Sequence, residues 1–214
     1  MKRKILITGF DSGLKAKLVK LFLDGGYKVA ATVNTQSIKT NSNNSNFIEI
    51  PWNNRSPLSA KDIILECQNK MEGFDDALTI FSSQKNNKPI HEISSAEIES
   101  SIDSSLKGNL FILKEIILYF QRIGKGNISL IHDLEQSEIL APLYAVEAGG
   151  LSSLARSLFA SYQNEQLTIN SYRSNSGELT DYAEYIFNSI NERTKPVHGK
   201  IFKFQAKGRP FFLS

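Results

Sequence analysis

The stretch ILITGFDSGLKAKLVKLFLDGGYKVAATV, residues 5–33, decides the fold. Its apolar run Ile5–Thr8 stops at Gly9, as expected for a buried strand that enters a turn. Ser12 then stands where a helix cap belongs, and apolar residues follow at helical spacing: Leu14, Leu18, Leu21 and Phe22. A second buried-strand pattern covers residues 27–33. Strand, helix and strand within about thirty residues predict a βαβ unit.

The same alternation continues along the chain. Strand patterns lie at 47–50, 77–81, 127–132, 168–172 and 200–205, and helical patterns lie at 59–71, 97–122, 142–162 and 179–193, with an interruption expected near Asp103. The polar stretches 40–46 and 82–95 are predicted loops. This order predicts an α/β fold, a Rossmann-like doubly wound parallel sheet of about seven strands with helices on both faces. The 214 residues contain no repeat and no linker, which predicts one domain over 1–214.

Composition excludes several classes of protein. A hydrophobic content of 41% with 22% charged residues is typical of a soluble protein, and a net charge of +3 is too small to indicate nucleic-acid binding. The single cysteine rules out a disulfide framework, and three scattered histidines do not predict a metal site. The run ILIT is too short for a signal peptide, and no run approaches membrane-spanning length. We therefore expect a cytoplasmic protein.

Five segments, in order and suitably spaced, resemble the short-chain dehydrogenase/reductase family. They are ITGFDSGLKAKLVKLFLDGGYKVAATV for a first βαβ unit with a TGxxxGxG turn, SLKGNLFILKE for a long interface helix, GNISLI for a fifth strand, YAVEAGGLSSLARSLFASY for an active-site helix and GKIFKF for a last strand. The likeness covers nearly the whole chain. It implies NAD(P) as the cofactor and carbonyl reduction as the chemistry.

The resemblance assigns the cofactor-binding positions to Gly9, Ser12, Gly13 and Asn34. Glycines let the backbone approach a pyrophosphate, and amides at the helix N-terminus then hold its charge. The third glycine of the family motif falls on Lys15, which either blocks close packing or places a cation on a phosphate. Asn34 favours neither NAD nor NADP. Retention and loss of NAD(P) binding are both left open by the sequence.

The resemblance also assigns catalytic positions, and most of them are replaced. The family uses a Tyr, a Lys, a Ser and an Asn; Tyr144 matches the Tyr, whereas the other three fall on Ala148, on His132 or Asp133, and on Ser105. A Tyr without a neighbouring cation titrates near about 10 and releases its proton poorly at neutral pH. A His at the end of a strand is able to orient a carbonyl or pass a proton. Tyr144 and His132 are therefore the candidate catalytic residues.

The resemblance finally implies an assembly surface. Helices that match 104–122 and 145–162 usually pair across a two-fold axis in this family, and the small residues Gly149 and Gly150 would allow close approach. The apolar C-terminal segment RPFFLS, 209–214, is expected to dock on a neighbouring subunit or on its own core. The partner would be a second copy of the chain or an intact family member.

Three hypotheses of function follow. The first is a catalytically degenerate family member that acts as a non-catalytic partner or scaffold in a reductase assembly. The second is an active NAD(P)H-dependent carbonyl or 3-ketoacyl reductase with an atypical site. The third is a sensor of a nucleotide or small metabolite.

Overall fold

A seven-stranded parallel sheet forms the centre of the molecule, with the strand order β3-β2-β1-β4-β5-β6-β7. The computed structural model describes residues 3–34, 44–82, 88–133, 141–174 and 178–205. The strands are β1 Lys4–Thr8, β2 Lys28–Asn34, β3 Phe47–Trp52, β4 Asp76–Phe81, β5 Gly126–His132, β6 Leu167–Ser174 and β7 Ile201–Phe204. β4 is buried along its whole length, as expected for a central strand covered on both faces.

Helices cover both faces of the sheet. They are α1 Gly13–Asp24, α2 Pro57–Met71, α3 Ser95–Ser101, α4 Gly108–Ile123, α5 Pro142–Ser161 and α6 Leu179–Asn191. α1 and α6 share one core cluster, which includes Leu18 and Ile186. α2, α4 and α5 contribute to the core on the opposite face, which includes Ile116 and Leu151. The predicted doubly wound sheet with two covered faces is confirmed.

The predicted helix 97–122 consists of three consecutive helical segments. Ser94 caps α3 through a capping box with Glu97. A π-helical segment, Ile102–Lys107, then joins α3 to α4, at the place where the sequence predicted an interruption. The Asn109 side-chain amide donates a hydrogen bond of 2.7 Å to the carbonyl oxygen of Ser105, a bond from α4 back into this segment. π segments of this kind occur often at functional sites.

Further expectations from the sequence concern membrane spans, metal sites, the C-terminal segment and a loop. Within the described ranges, the molecule has no helix of the length and apolarity needed to span a bilayer. The same residues contain no group of three or more side chains suited to holding a metal ion. The predicted docking of 209–214 and most of the predicted loop 40–46 lie outside the described residues.

Candidate functional site

The candidate site is the crevice at the carboxyl ends of the strands. The strand order reverses between β1 and β4, and ligands of open α/β sheets bind at such a switch point. The turn after β1 contains Gly9 and leads into α1. β5 ends nearby at His132, and α5 follows it with Tyr144 in its first turn.

Contacts within the protein require a glycine at position 9 and restrict the space for a side chain at position 13. Gly9 has φ +129°, and a Cβ there would lie 2.6 Å from the carbonyl oxygen of Ile80. Gly13 is the first residue of α1, and a Cβ there would lie 3.0 Å from Cδ2 of Leu179, the first residue of α6. A glycine at position 13 therefore allows close approach of an apolar side chain from α6.

The Lys15 side chain occupies the interior of this turn. It is 4% exposed, and its Nζ donates to the carbonyl oxygen of Gly9 at 3.0 Å, to Oδ1 of Asp11 at 3.1 Å and to Oγ1 of Thr32 at 3.3 Å. It also donates to the main-chain carbonyl of Thr32. We call these four residues the Lys15 clasp.

The clasp pairs a buried ammonium with an exposed carboxylate, since the Lys15 side chain is 5% exposed and that of Asp11 is 47% exposed. Burial lowers the pKa of Lys15, and the adjacent Asp11 carboxylate opposes that shift. The other carboxylate oxygen of Asp11 accepts a hydrogen bond of 3.3 Å from the main-chain N–H of Asn34. The sequence left open whether Lys15 blocks packing or faces a phosphate; in the structure its ammonium is bound by oxygens of the protein itself.

Ser12 has a structural role in the same turn. It is the N-cap of α1, and its Oγ accepts a hydrogen bond of 3.2 Å from the main-chain N–H of Lys15. This confirms the predicted cap.

His132, the first candidate catalytic residue, is buried at the end of β5. Its ring is 4% exposed and stands edge to face with Phe81, with 5.3 Å between the ring centroids. Its Nε2 is buried and has no hydrogen-bond partner in the described structure. Burial, aided by the positive charge of Arg173, lowers the pKa of His132 to about 3. The imidazole is therefore neutral at physiological pH.

Tyr144 and the replaced family positions lie on α5, in the π segment and directly after β5. Tyr144 is 9% exposed and lies in the first turn of α5. Ala148 lies one helical turn further along α5, at the position where the family has a lysine. Ser105 is 2% exposed, and its Oγ has no partner among the described residues. Asp133 donates its main-chain N–H to the carbonyl oxygen of Phe81 at 2.9 Å.

Two charged residues of the site were not predicted. Glu147 is 1% exposed on α5; one carboxylate oxygen accepts from the Ser101 hydroxyl, and the other has no partner in the described structure. Arg173, near the end of β6, pairs in register with His132. Both left a signal in the sequence: Glu147 shares the helical stripe of Leu151, and Arg173 is a charge in a strand that is otherwise uncharged.

Comparison with known proteins identifies relatives of the whole fold. The family model described as short chain dehydrogenase matches residues 3–188. No curated protein matches the sequence. Among solved structures, a 3-ketoacyl-(acyl-carrier-protein) reductase from Brucella melitensis complexed with NADH superposes with a TM-score of 0.82 at 12% identity, over 96% of this chain and 97% of that one.

Two further solved structures have the same architecture. A short chain dehydrogenase from Leptospira borgpetersenii with bound NAD+ gives a TM-score of 0.78 at 16% identity, over 95% of this chain and 91% of that one. ElxO with NADP bound gives 0.80 at 16% identity, over 96% and 98%. At these identities the likeness establishes the fold.

Proposed function

The chain belongs to the short chain dehydrogenase family, and on that premise we propose that it is a non-catalytic member, the structural or regulatory partner in a reductase assembly. The Lys15 clasp is the observation that carries this proposal. In a dinucleotide-binding turn of this type, the third glycine permits close packing of helix and strand beside the pyrophosphate. Here that position holds a lysine whose ammonium is already satisfied by four oxygens: two main-chain carbonyls, the Asp11 carboxylate and the Thr32 hydroxyl.

A second contact supports the loss of the cofactor. The Leu179 side chain lies against Gly13 at the N-terminus of α1, where the family motif would place a phosphate. An apolar group there offers no hydrogen bond to an anion. A dinucleotide bound in the manner of the family would meet the Leu179 side chain at Gly13 and the Lys15 side chain inside the turn.

The catalytic positions support the same proposal. Ala148 provides no cation for the Tyr144 phenol, so nothing at that position lowers the barrier to proton release. Because its pKa is about 3, His132 is a neutral imidazole at neutral pH, and a neutral imidazole is a very weak acid. The alternative of an active NAD(P)H-dependent reductase using Tyr144 and His132 therefore has less support.

An apolar face on α4 and α5 supports a role in assembly. The two helices flank a groove whose lining is mostly apolar: Leu110, Leu113, Ile117, Leu118, Leu154, Leu158 and Tyr162, with Lys114 and Gln121. Leu110 is 48% exposed and Val146 on α5 is 58% exposed. Gly149, on a different side of α5 from Leu158, would gain no contact from a Cβ and leaves a second part of the helix open to close approach. We propose that this face binds a second copy of the chain or an intact relative.

Titration of the purified protein with NADH and with NADPH tests the loss of cofactor binding. Quenching of Trp52 and fluorescence of the reduced nicotinamide report binding, and consumption of the nicotinamide in the presence of ketone substrates reports turnover. We expect neither. Saturable binding with turnover would overturn the proposal, and binding without turnover would replace it with a nucleotide-sensing role.

A further inference from the structure

Arg173 lies in a row of three side chains at the carboxyl end of the sheet. The register pairs Phe81 with His132 and His132 with Arg173 across β4, β5 and β6. Side chains alternate along a strand, and Ile169 of β6 belongs to the core on the α4 and α5 face, so Arg173 projects from that same face. His132 and Arg173 are therefore neighbours at the mouth of the crevice, on the far side from the Lys15 clasp.

The hydrogen-bonding edge of the Arg173 guanidinium is unused. Its Nε and Nη2 atoms are both buried, and neither has a hydrogen-bond partner in the described structure. These two N–H groups form one edge of the guanidinium fork, which matches a carboxylate or phosphate with two parallel hydrogen bonds. Arg173 itself is partly exposed, but two N–H groups that are shielded from water are costly to leave unpaired, and this makes the edge a site for an oxyanion.

The charged groups around Arg173 come from α5, from α6 and from the end of β5. Arg156 on α5 adds a second positive charge that, after burial, depresses the pKa of Arg173. On the α6 side, burial and then the negative charge of Asp133 raise the pKa of the Tyr182 phenol, whose hydroxyl donates to the carbonyl oxygen of His132 at 3.4 Å. No carboxylate forms an ion pair with Arg173 in the described part of the chain.

We propose that Arg173, together with Nε2 of His132, binds an oxyanion, the carboxylate or phosphate group of a small molecule, at the carboxyl ends of β5 and β6. The Arg173 edge supplies two hydrogen bonds and the charge. The buried Nε2 of His132 supplies a third hydrogen bond in the tautomer that carries the proton there. The site lies apart from the nucleotide turn after β1, so it exists whether or not the chain binds a dinucleotide.

The test observes Arg173 directly in the full chain. The Nε–H groups of arginines labelled with ¹⁵N are followed by NMR while inorganic phosphate, acetate or neutral acetamide is added. The Arg173 signal is assigned by through-bond correlation and by its absence in Arg173→Lys. We expect a saturable downfield shift with phosphate or acetate and none with acetamide. The exposed Arg122 should respond weakly and without saturation.

Two variants separate the contribution of the two-bond guanidinium edge from that of the positive charge. Arg173→Lys keeps the positive charge and loses the two-bond edge, so the affinity for the oxyanion should fall about tenfold or more. Arg156→Lys, an exposed change on α5, should leave the affinity within about threefold. Saturation by phosphate alone or by acetate alone supports the site and identifies the group that it takes.

Several results would overturn the inference. One is a shift of the Arg173 signal that, like the shift of the Arg122 signal, is weak and does not saturate with any ion. Another is an Arg173→Lys protein that binds the oxyanion as tightly as the wild type does. If Arg173→Lys fails to fold, the titration of the wild-type signal still decides the question. Titration with NADH is a separate measurement, so failure of the oxyanion site and failure of the non-catalytic proposal are distinguishable.

Discussion

The Nζ of Lys15 lies 3.0 Å from the carbonyl oxygen of Gly9. A residue in the first turn of α1 thus returns its side chain to the turn that precedes its own helix. The cation and the glycine turn, which would both face a phosphate in a nucleotide site, bind each other instead. The same ammonium also bonds the end of β2 through Thr32, so it ties together the first βαβ unit.

The first prediction concerns the clasp. We expect Lys15→Gly combined with Leu179→Ala to bind NADH more tightly than the wild type, because the pair removes the buried ammonium and the apolar cover over Gly13. Nicotinamide fluorescence measures the affinity. Ala148→Lys with Asp133→Ser, which restores only catalytic groups, should not restore reduction.

Lys17→Gly is the matched control for this experiment. Lys17 is exposed on the same helix, so the change has a similar cost in helix propensity, up to about 1 kcal/mol, without opening the clasp. Equal affinity of the wild type and the double variant for NADH would show that the clasp does not obstruct the site.

The second prediction concerns pH and His132. Its pKa is about 3 in the folded protein, against an ordinary value of 6.5. Between these values the unfolded chain takes up a proton and the folded chain does not, so His132 lowers stability as the pH falls from 6.5 towards 3. We expect the free energy of unfolding of the wild type to lose about 2 kcal/mol relative to His132→Gln between pH 8 and pH 5.

Urea denaturation of both proteins at the two pH values measures this difference. The other titrating groups are common to both chains, so they cancel in the comparison. A difference that stays constant between pH 8 and pH 5 would mean that His132 takes up its proton in the folded protein at the same pH as in the unfolded chain, and is therefore not shielded by burial.

The fold was predictable because it depends on periodic patterns. Alternating apolar runs and helical stripes gave seven strands and the main helices, and the Ser12 cap was visible as a residue type at a defined position. The interruption near Asp103 was predicted as a break, whereas the structure continues through a π segment. Hydrogen-bond geometry inside a helix is not encoded in apolar spacing, so the position of the interruption was predictable and its π-helical form was not.

The site was less predictable because it depends on side-chain direction. Lys15 has four flexible torsions, and its position in the motif is compatible with an outward or an inward ammonium. Only the packing of α1 against β2 places four oxygens around it. Phe81, the last residue of β4, is fully buried in the same core as Ile116. The unpartnered edge of Arg173 likewise depends on what surrounds it in three dimensions.

The third prediction concerns the apolar face of α4 and α5. If that face binds a second copy, Leu110→Glu should shift the protein to a lower mass in light scattering, because it places a charge in the apolar contact. Leu110 is 48% exposed in the single chain, so its own stability should change by only about 0.5 kcal/mol.

Leu58→Glu is the matched control for the assembly experiment. Leu58 is 65% exposed on α2, outside the groove, and its replacement should leave the mass unchanged. A wild type that is monomeric alone but forms a complex with an intact family member would identify the hetero-oligomer, with Leu110→Glu abolishing that complex. If Leu110→Glu leaves every assembly intact, this face is not the interface.

The last prediction concerns Cys67, whose thiol is fully buried on α2. Burial raises its pKa to about 12, so at pH 8 the folded protein presents almost no thiolate and no access for a thiol reagent. Labelling should therefore follow opening of the core and accelerate steeply with urea. The double variant Cys67→Ala with Gln68→Cys moves the thiol to the exposed neighbour on the same helix and should react on mixing. Equally fast labelling of the wild type without urea would mean that α2 leaves the sheet in the native state. The core beneath α4 would then not be rigid enough to present the apolar face for assembly.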